Sequence, residues 1–202
     1  MSNNGPNVFL VGGDQWGEGE LFRHQDWNVV LDPDKADFIC FTGGADISPR
    51  FYGADQHPYT SVSPRRDDFE EMWYEMTKGK RMLGICRGGQ LLNALSGGSM
   101  YQHVDRHNRT HTSIDVETGN EFLFSSVHHQ MMIPGEGAKL LAVAPGQSTF
   151  RETDKEKFAG HAEDVEALFY EKTSAFCFQP HPEWGPPSCT EYFFRKIDQL
   201  YS

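Results

Sequence analysis

The sequence predicts an α/β fold. The expected form is a three-layer sandwich, with a mostly parallel central sheet flanked by helices and antiparallel hairpins at one edge. Three observations predict it. Short apolar runs of strand length alternate with helix-patterned segments through the first half of the chain. Several of those runs stop at paired glycines, which suit the turns at strand ends. The second half is richer in strands than in helices, as hairpins added to an open sheet would be. The 202 residues, 38% hydrophobic and 23% charged, suit one domain, taken as 1–202, with a sizeable core.

The elements follow in order. NVFLVGG (7–13) reads as a buried strand ending in a glycine turn, and WNVVLD (27–32) and ADFICFTGG (36–44) read the same way. Between the first two there is room for only a small helix, GELFRHQ. Residues 63–79 read as a longer helix: Ser63 can cap it, Pro64 suits its first position, and acidic residues follow early. Phe69, Met72, Trp73 and Met76 recur at i, i+3, i+4 and i+7, giving one apolar face, and Gly79 ends the run. Arg65 and Arg66, opposite acidic neighbours, read as a solvated or structural pair. RMLGI (81–85) is then a strand and GGQLLNALSGG (88–98) a helix. HTSIDVE, EFLFSS, KLLAVAP, VEALFYE and AFCFQPH read as strands, and TEYFFRKIDQLY (190–201) as a terminal helix. No internal repeat or low-complexity segment interrupts this order.

A formal net charge of −11 argues against nucleic acid or an anionic membrane as partner. The cysteines, Cys40, Cys86, Cys177 and Cys189, form no CxxC pair. MSNNGPNVFLVGG has neither a basic leader nor a long apolar core, and no run approaches a membrane span of roughly 18 residues. The expectation is a cytoplasmic protein with free thiols and no sugar on Asn108. Cys40 and Cys177, in apolar runs, read as core residues; Cys189 reads as half-exposed.

LGICRGGQ (83–90) places a cysteine between an apolar run and a cluster of glycines. A core cysteine needs no glycines around it; one on a sharp strand-to-helix turn does, because crowded backbone there excludes side chains. Gly84, Cys86 and Gly88 fill the G-x-nucleophile-x-G frame. Such a turn lifts the sulfur to the carboxyl edge of the sheet, and the following helix N-terminus favours thiolate. The N–H of Arg87 then faces an oxyanion. On its own the frame also fits a small buried residue in a tight turn.

A thiolate needs a proton partner, and FQPHPEW (178–184) supplies one. His181 and Glu183, two apart, point to one side of an extended backbone, with the strand ending at Pro182. Glu183 then holds one imidazole nitrogen while the other meets the sulfur. Gly43-Gly44 in FTGGADISPRFYG offers a second oxyanion donor, since bare backbone can approach a carbonyl there, but on its own the pair reads as an ordinary glycine turn.

These pieces in this order resemble the class I glutamine amidotransferase superfamily, and within it the γ-glutamyl hydrolase branch. FTGGADISPRFYG, RRDDFE with LGICRGGQLLN, GGSMYQHV with SSVHHQ, and VEALFYEKTSAFCFQPHPEW carry the resemblance, and HHQ tilts it toward that branch. The resemblance implies a flavodoxin-like architecture. It implies Cys86 as nucleophile, His181 as general base and acid, and Glu183 as its orienting partner. Gly44 and Arg87 then form the oxyanion hole, and Gln90, His129 and Gln130 bind substrate. Gly89 stands where the family usually carries a larger apolar residue, which predicts a looser pocket floor.

The implied function is cleavage of the γ-glutamyl C–N bond of glutamine or a γ-glutamyl amide through a glutamyl thioester, with no metal and no cofactor. If the leaving group is ammonia, a separate ammonia-accepting synthetase is the expected partner. If it is a larger amine, the chain is a stand-alone γ-glutamyl hydrolase. A catalytically silent binding module on the same fold is the reading of another class, and homo-oligomerisation is left open.

Two further motifs carry less. GGDQWGEGE (12–20) is glycine-rich, but it lacks a Gly-Lys-Ser/Thr ending and its acids would repel phosphate; it reads as a substrate-side loop. His103, His107 and His111 recur every four residues, yet they sit in a polar, loop-like run where no Cys or Glu completes a ligand set.

Overall fold

The computed structural model describes residues 4–202; the first three residues of the N-terminal stretch read for targeting lie outside them. The strands are β1 (Asn7–Val11), β2 (Asn28–Val30), β3 (Phe38–Phe41), β4 (Arg81–Ile85), β5 (Ser99–Tyr101), β6 (His103–Val104), β7 (His111–Asp115), β8 (Glu121–Phe124), β9 (Met131–Ile133), β10 (Ala138–Pro145), β11 (Phe150–Glu152), β12 (Lys157–Ala159), β13 (Glu163–Tyr170) and β14 (Ala175–Phe178). The helices are α1 (Glu18–Arg23), α2 (Pro64–Met76), α3 (Arg87–Leu95) and α4 (Pro187–Tyr201). Among the described residues, nine strands form one sheet in the order β2-β1-β3-β4-β14-β13-β10-β7-β8. The five from β2 to β14 pair in parallel; the remaining four pairings are antiparallel. The expected α/β sandwich is thus present, and its antiparallel part is half of the pairings rather than a fringe.

Strand side chains alternate between two cores. Val8, Leu10, Phe38, Cys40, Leu83, Ile85, Phe176 and Phe178 face α1 and α4. Ile39, Phe41, Met82 and Cys177 face α2 and α3. Burial on both faces is why these runs read as continuously apolar. Cys40 and Cys177 are core residues as expected, whereas Cys189 is fully buried against the expectation of half exposure. It is the third residue of α4 and packs inward with Tyr192 and Phe193.

Two small sheets, β12-β11-β6 and β5-β9, were not legible as strands. Their segments are two or three residues long, and cross-strand pairing rather than local pattern defines them. No helix among the described residues is long and apolar enough to cross a membrane.

Helix α2 departs most from expectation. Ser63 occupies the cap position but its side chain makes no capping bond; its carbonyl instead accepts from the N–H groups of Arg66 and Asp67. Three of the four residues of the expected apolar face turn outward: Phe69 is 43% and Met76 65% exposed, and Met72 is exposed as well, while Trp73 is half-buried and packs on Phe9. The buried side chains are Asp67, Glu70 and Tyr74. What those carboxylates meet explains the inversion.

Register positions the site. Gly84 of β4 pairs with Phe41 of β3 on one side and Cys177 of β14 on the other. The carboxyl ends of three adjacent parallel strands therefore come level. The segments that follow them carry Gly43-Gly44, Cys86 and His181.

Candidate active site

Cys86 sits between β4 and α3 at φ 50°, ψ −109°, a conformation that L-residues avoid. The glycines explain why the turn closes. A Cβ at Gly84 would lie 2.5 Å from the Gly88 carbonyl, and one at Gly88 would lie 2.0 Å from the Phe41 carbonyl. Helix α3 thus lies directly on the backbone of β4 and β3. Gly89 obeys the same constraint: its Cβ would fall 2.9 Å from the Phe178 backbone. The expected loose pocket floor is absent, because the missing side chain lets α3 seat against β14.

Strand β14 ends at Phe178, so His181 lies past the strand, and the expected extended geometry through Pro182 does not hold. The pairing with Glu183 forms instead across a turn. His181 Nδ1 is 2.6 Å from Glu183 Oε1, and the Glu183 side chain is fully buried. Burial opposes charge on the imidazole, but the Cys86 sulfur, by charge and hydrogen bond, and then Glu183 outweigh it and push His181 up to about 10. Ser125 fixes the backbone behind the ring: its Oγ accepts from His181 N at 2.8 Å and donates to His181 O at 2.9 Å. Trp184 stacks on the imidazole with ring centres 4.4 Å apart.

The Gly43-Gly44 loop meets this group from β3. A Cβ at Gly43 would lie 2.7 Å from His181 Cε1, and one at Gly44, where φ is +148°, would lie 2.1 Å from Arg66 Nη1. Both positions need bare backbone, one for the imidazole and one for the guanidinium. Arg66 Nη2 donates to the Gly43 carbonyl at 2.7 Å, while its Nε donates to Glu70 Oε1 at 2.8 Å. Glu70 Oε2 is 3.1 Å from Arg87 Nη2, which also donates to Asp67 Oδ1 at 2.7 Å. Arg87, Asp67 and Glu70 have no side-chain exposure. Burial pushes both carboxyls up against the opposing pull of Arg87.

One chain of ion pairs therefore ties the loop carrying Gly44 to Arg87, the residue after the cysteine. This is what inverts α2. Arg66, read as solvated or structural, is structural and touches the site. One partner, Glu70, lies four residues on in the same helix; the others, Thr42 and Gly43, lie 24 and 23 residues earlier, where its sequence neighbourhood gave no sign of them.

Gln90 and Gln130 come together: Gln90 Nε2 is 3.4 Å from the Gln130 carbonyl and 3.2 Å from Gln179 Oε1. Gln179 Nε2 in turn lies 3.8 Å from Cys86 Sγ. Gln130 is buried with Oε1 unpaired. His129 is half-exposed and reaches Asp46, just past Gly44, at 3.1 Å. Gln179 and Ser125 were missed as individual residues, although both lie inside motifs the sequence singled out. The 12–20 loop is closed to phosphate. The N–H groups of Gln15 and Trp16 are taken by Glu18, and that of Gly17 by Asp14.

Cys86, the held imidazole of His181 and the Gly43-Gly44 loop thus follow the level carboxyl ends of three adjacent parallel strands. The peptidase C26 family model matches residues 33–183. The glutamine amidotransferase-like protein YvdE of Lactococcus lactis is 31% identical over 191 residues, spanning 82% of this chain and 73% of that protein. The carbamoyl phosphate synthase small chain of Neisseria meningitidis is 26% identical over 124 residues, 60% of this chain and 30% of that one. Among solved structures, PurLQS from Thermotoga maritima shares the fold, with TM-score 0.61 and 15% identity over 98% of this chain and 100% of that one.

Proposed function

The chain belongs to the peptidase C26 family, within the class I glutamine amidotransferase-like superfamily, and from that membership we propose that it is a cysteine hydrolase of γ-glutamyl amides. Cys86 thiolate attacks the γ-carbonyl carbon. A C–S bond forms as the carbonyl electron pair moves to oxygen, where the N–H groups of Gly44 and Arg87 receive it; each donor contributes about 3 kcal/mol in such sites. His181 then gives its proton to the departing nitrogen and the C–N bond breaks. Ammonia or an amine leaves, and a glutamyl thioester remains. The neutral imidazole takes a proton from water as the water oxygen attacks the thioester. Glutamate departs and the thiolate–imidazolium pair is restored. Glu183 holds the ring in register throughout. Gln90, His129 and Gln130 line the pocket for the γ-glutamyl head.

The observation that carries this reading is the imidazole of His181, bonded to Glu183 on one side and to the Cys86 sulfur on the other. An electrophilic glutamine analogue tests it. A single adduct is expected on Cys86, absent in Cys86→Ser and formed slowly in His181→Asn. If no cysteine reacts faster than free thiol, the chain is a binding module on this fold.

The leaving group divides the proposal in two. The HHQ segment at 128–130 supports a stand-alone hydrolase of a larger γ-glutamyl amine. Similarity to a carbamoyl phosphate synthase small chain supports a glutaminase that hands ammonia to a partner synthetase. A panel of γ-glutamyl amides separates them: turnover of a bulky conjugate by the chain alone selects the first, and turnover of glutamine only with an added partner selects the second.

A further inference from the structure

The fold rearranges the three spaced histidines. His103 leaves the set and faces His129 from β6. His107 and His111 turn inward, and Glu166 of β13 comes to meet them. Nε2 of His111 is 2.8 Å from Glu166 Oε1, and Nδ1 of His107 is 3.7 Å from the same oxygen. All three residues are buried, and one ligating atom of each lies within 4.8 Å of the others.

The outer nitrogens of both rings are already held. His107 Nε2 is 3.1 Å from Asp164 Oδ2, and His111 Nδ1 is 3.3 Å from the Arg109 carbonyl. Each acceptor takes an N–H, so each neutral ring would carry its lone pair on the inner nitrogen. Outer bonds to a carboxylate or a carbonyl are what metal-bound imidazoles show. Glu166 Oε2 is fully buried and has no hydrogen-bond partner.

Asp164 and Glu166 bring two carboxylates into the interior beside these rings. Ser126 Oγ lies 3.2 Å from His107 Nδ1 and 3.1 Å from His128 Nε2, and the other nitrogen of His128 faces the Gln130 carbonyl at 2.9 Å.

We propose that His107, His111 and Glu166 form a divalent metal site of zinc type, supported from outside by Asp164 and the Arg109 carbonyl. Two imidazoles and a carboxylate are a ligand set that zinc accepts, with a fourth position left on the side of Ser126. The sequence withheld this set because its acidic member lies 55 residues beyond His111. The ion would pin the turn at 107–111 to β13. It would also steady Ser126, whose neighbour Ser125 clamps the backbone of His181.

The test uses the full chain, untagged, as Cys86→Ser, so that no reactive thiolate competes for metal. After stripping with a chelator it is titrated with Co2+ and then Zn2+. The expected result is about one equivalent of Co2+ per chain, with visible ligand-field absorption of a four- or five-coordinate site, displaced by Zn2+. His111→Asn and Glu166→Gln should each weaken uptake by roughly 100-fold, while His129→Asn, half-exposed and outside the cluster, leaves it unchanged. The titration of the intact ligand set decides the matter even if a variant fails to fold. Uptake below about a tenth of an equivalent overturns the proposal and leaves a proton-balanced network. Loss of uptake in His129→Asn also overturns it, by moving the ion to the surface.

Discussion

Helix α4 lays Tyr192, Phe193 and Ile197 on the sheet, where they meet Phe176 and Phe178. Helix α2 lays Asp67 and Glu70 inward and leaves Phe69, Met72 and Met76 at the surface. Both segments read as helices, the first with an apolar face, and the residues opposite decide which face turns in. Across from α4 is a wall of phenylalanine. Across from α2 is Arg87, and Arg66 of α2 itself joins Glu70 to the loop at Gly43. Burying two carboxylates is costly even when they are paired, and apolar replacements would often be as stable. The inner face of α2 therefore serves the geometry of the site, whereas that of α4 serves cohesion.

Substitutions should separate those two roles. The largest effect is expected from Phe193→Ala, which empties a fully buried aromatic position; unfolding in urea should show a loss of about 3–5 kcal/mol, with kcat of the folded fraction unchanged. Glu70→Gln comes next. It weakens charge-assisted contacts to Arg66 and Arg87, so stability should fall by about 2 kcal/mol. Unlike the first variant, it should also lower kcat/KM on γ-glutamyl amides by about tenfold as the Gly43-Gly44 loop relaxes. If Glu70→Gln is unfolded less but keeps full kcat/KM, α2 is only another structural helix.

Titration offers a gentler probe. His181 is raised from its unfolded value near 6.5 to about 10. The folded chain thus holds a proton there that the unfolded chain releases between those values. The contribution of this group is fully present below about pH 6.5 and fades as pH climbs toward 10. Cys86→Ser removes the sulfur that raises it, so the stability difference between native and variant should shrink over that window. A constant difference from pH 6.5 to 10 would show that the sulfur does not set the titration. The smallest effect is expected at Met76→Gln, 65% exposed: within about 0.5 kcal/mol and no change in rate. A larger cost would mean that something covers the outer face of α2.

Legibility followed the range of the interactions. Strands β1, β3, β4 and β14 were visible because burial on both faces writes an unbroken apolar run. The Cys86 turn was visible because Gly84 answers to the backbone of Gly88, four residues on, and both glycines flank the cysteine in the sequence; that Gly88 seats on the Phe41 backbone was not visible. His181 and Glu183 were visible as a pair, although their turn replaced the expected extended geometry. The face of α2 was not legible, since periodicity counts apolar residues and does not register a buried guanidinium 20 residues on. Nor was the meeting of His107 and His111 with Glu166, which depends on β13 lying one strand beyond β10 from β7 in the sheet.

Position 43 has a practical corollary. An alanine there keeps every reacting atom, yet its methyl group would lie 2.7 Å from His181 Cε1 and force the ring aside. Such a variant would silence proton transfer by displacement instead of deletion. It would make a bait, with its nucleophile and pocket chemistry unaltered, on which an unknown natural substrate could be caught and weighed.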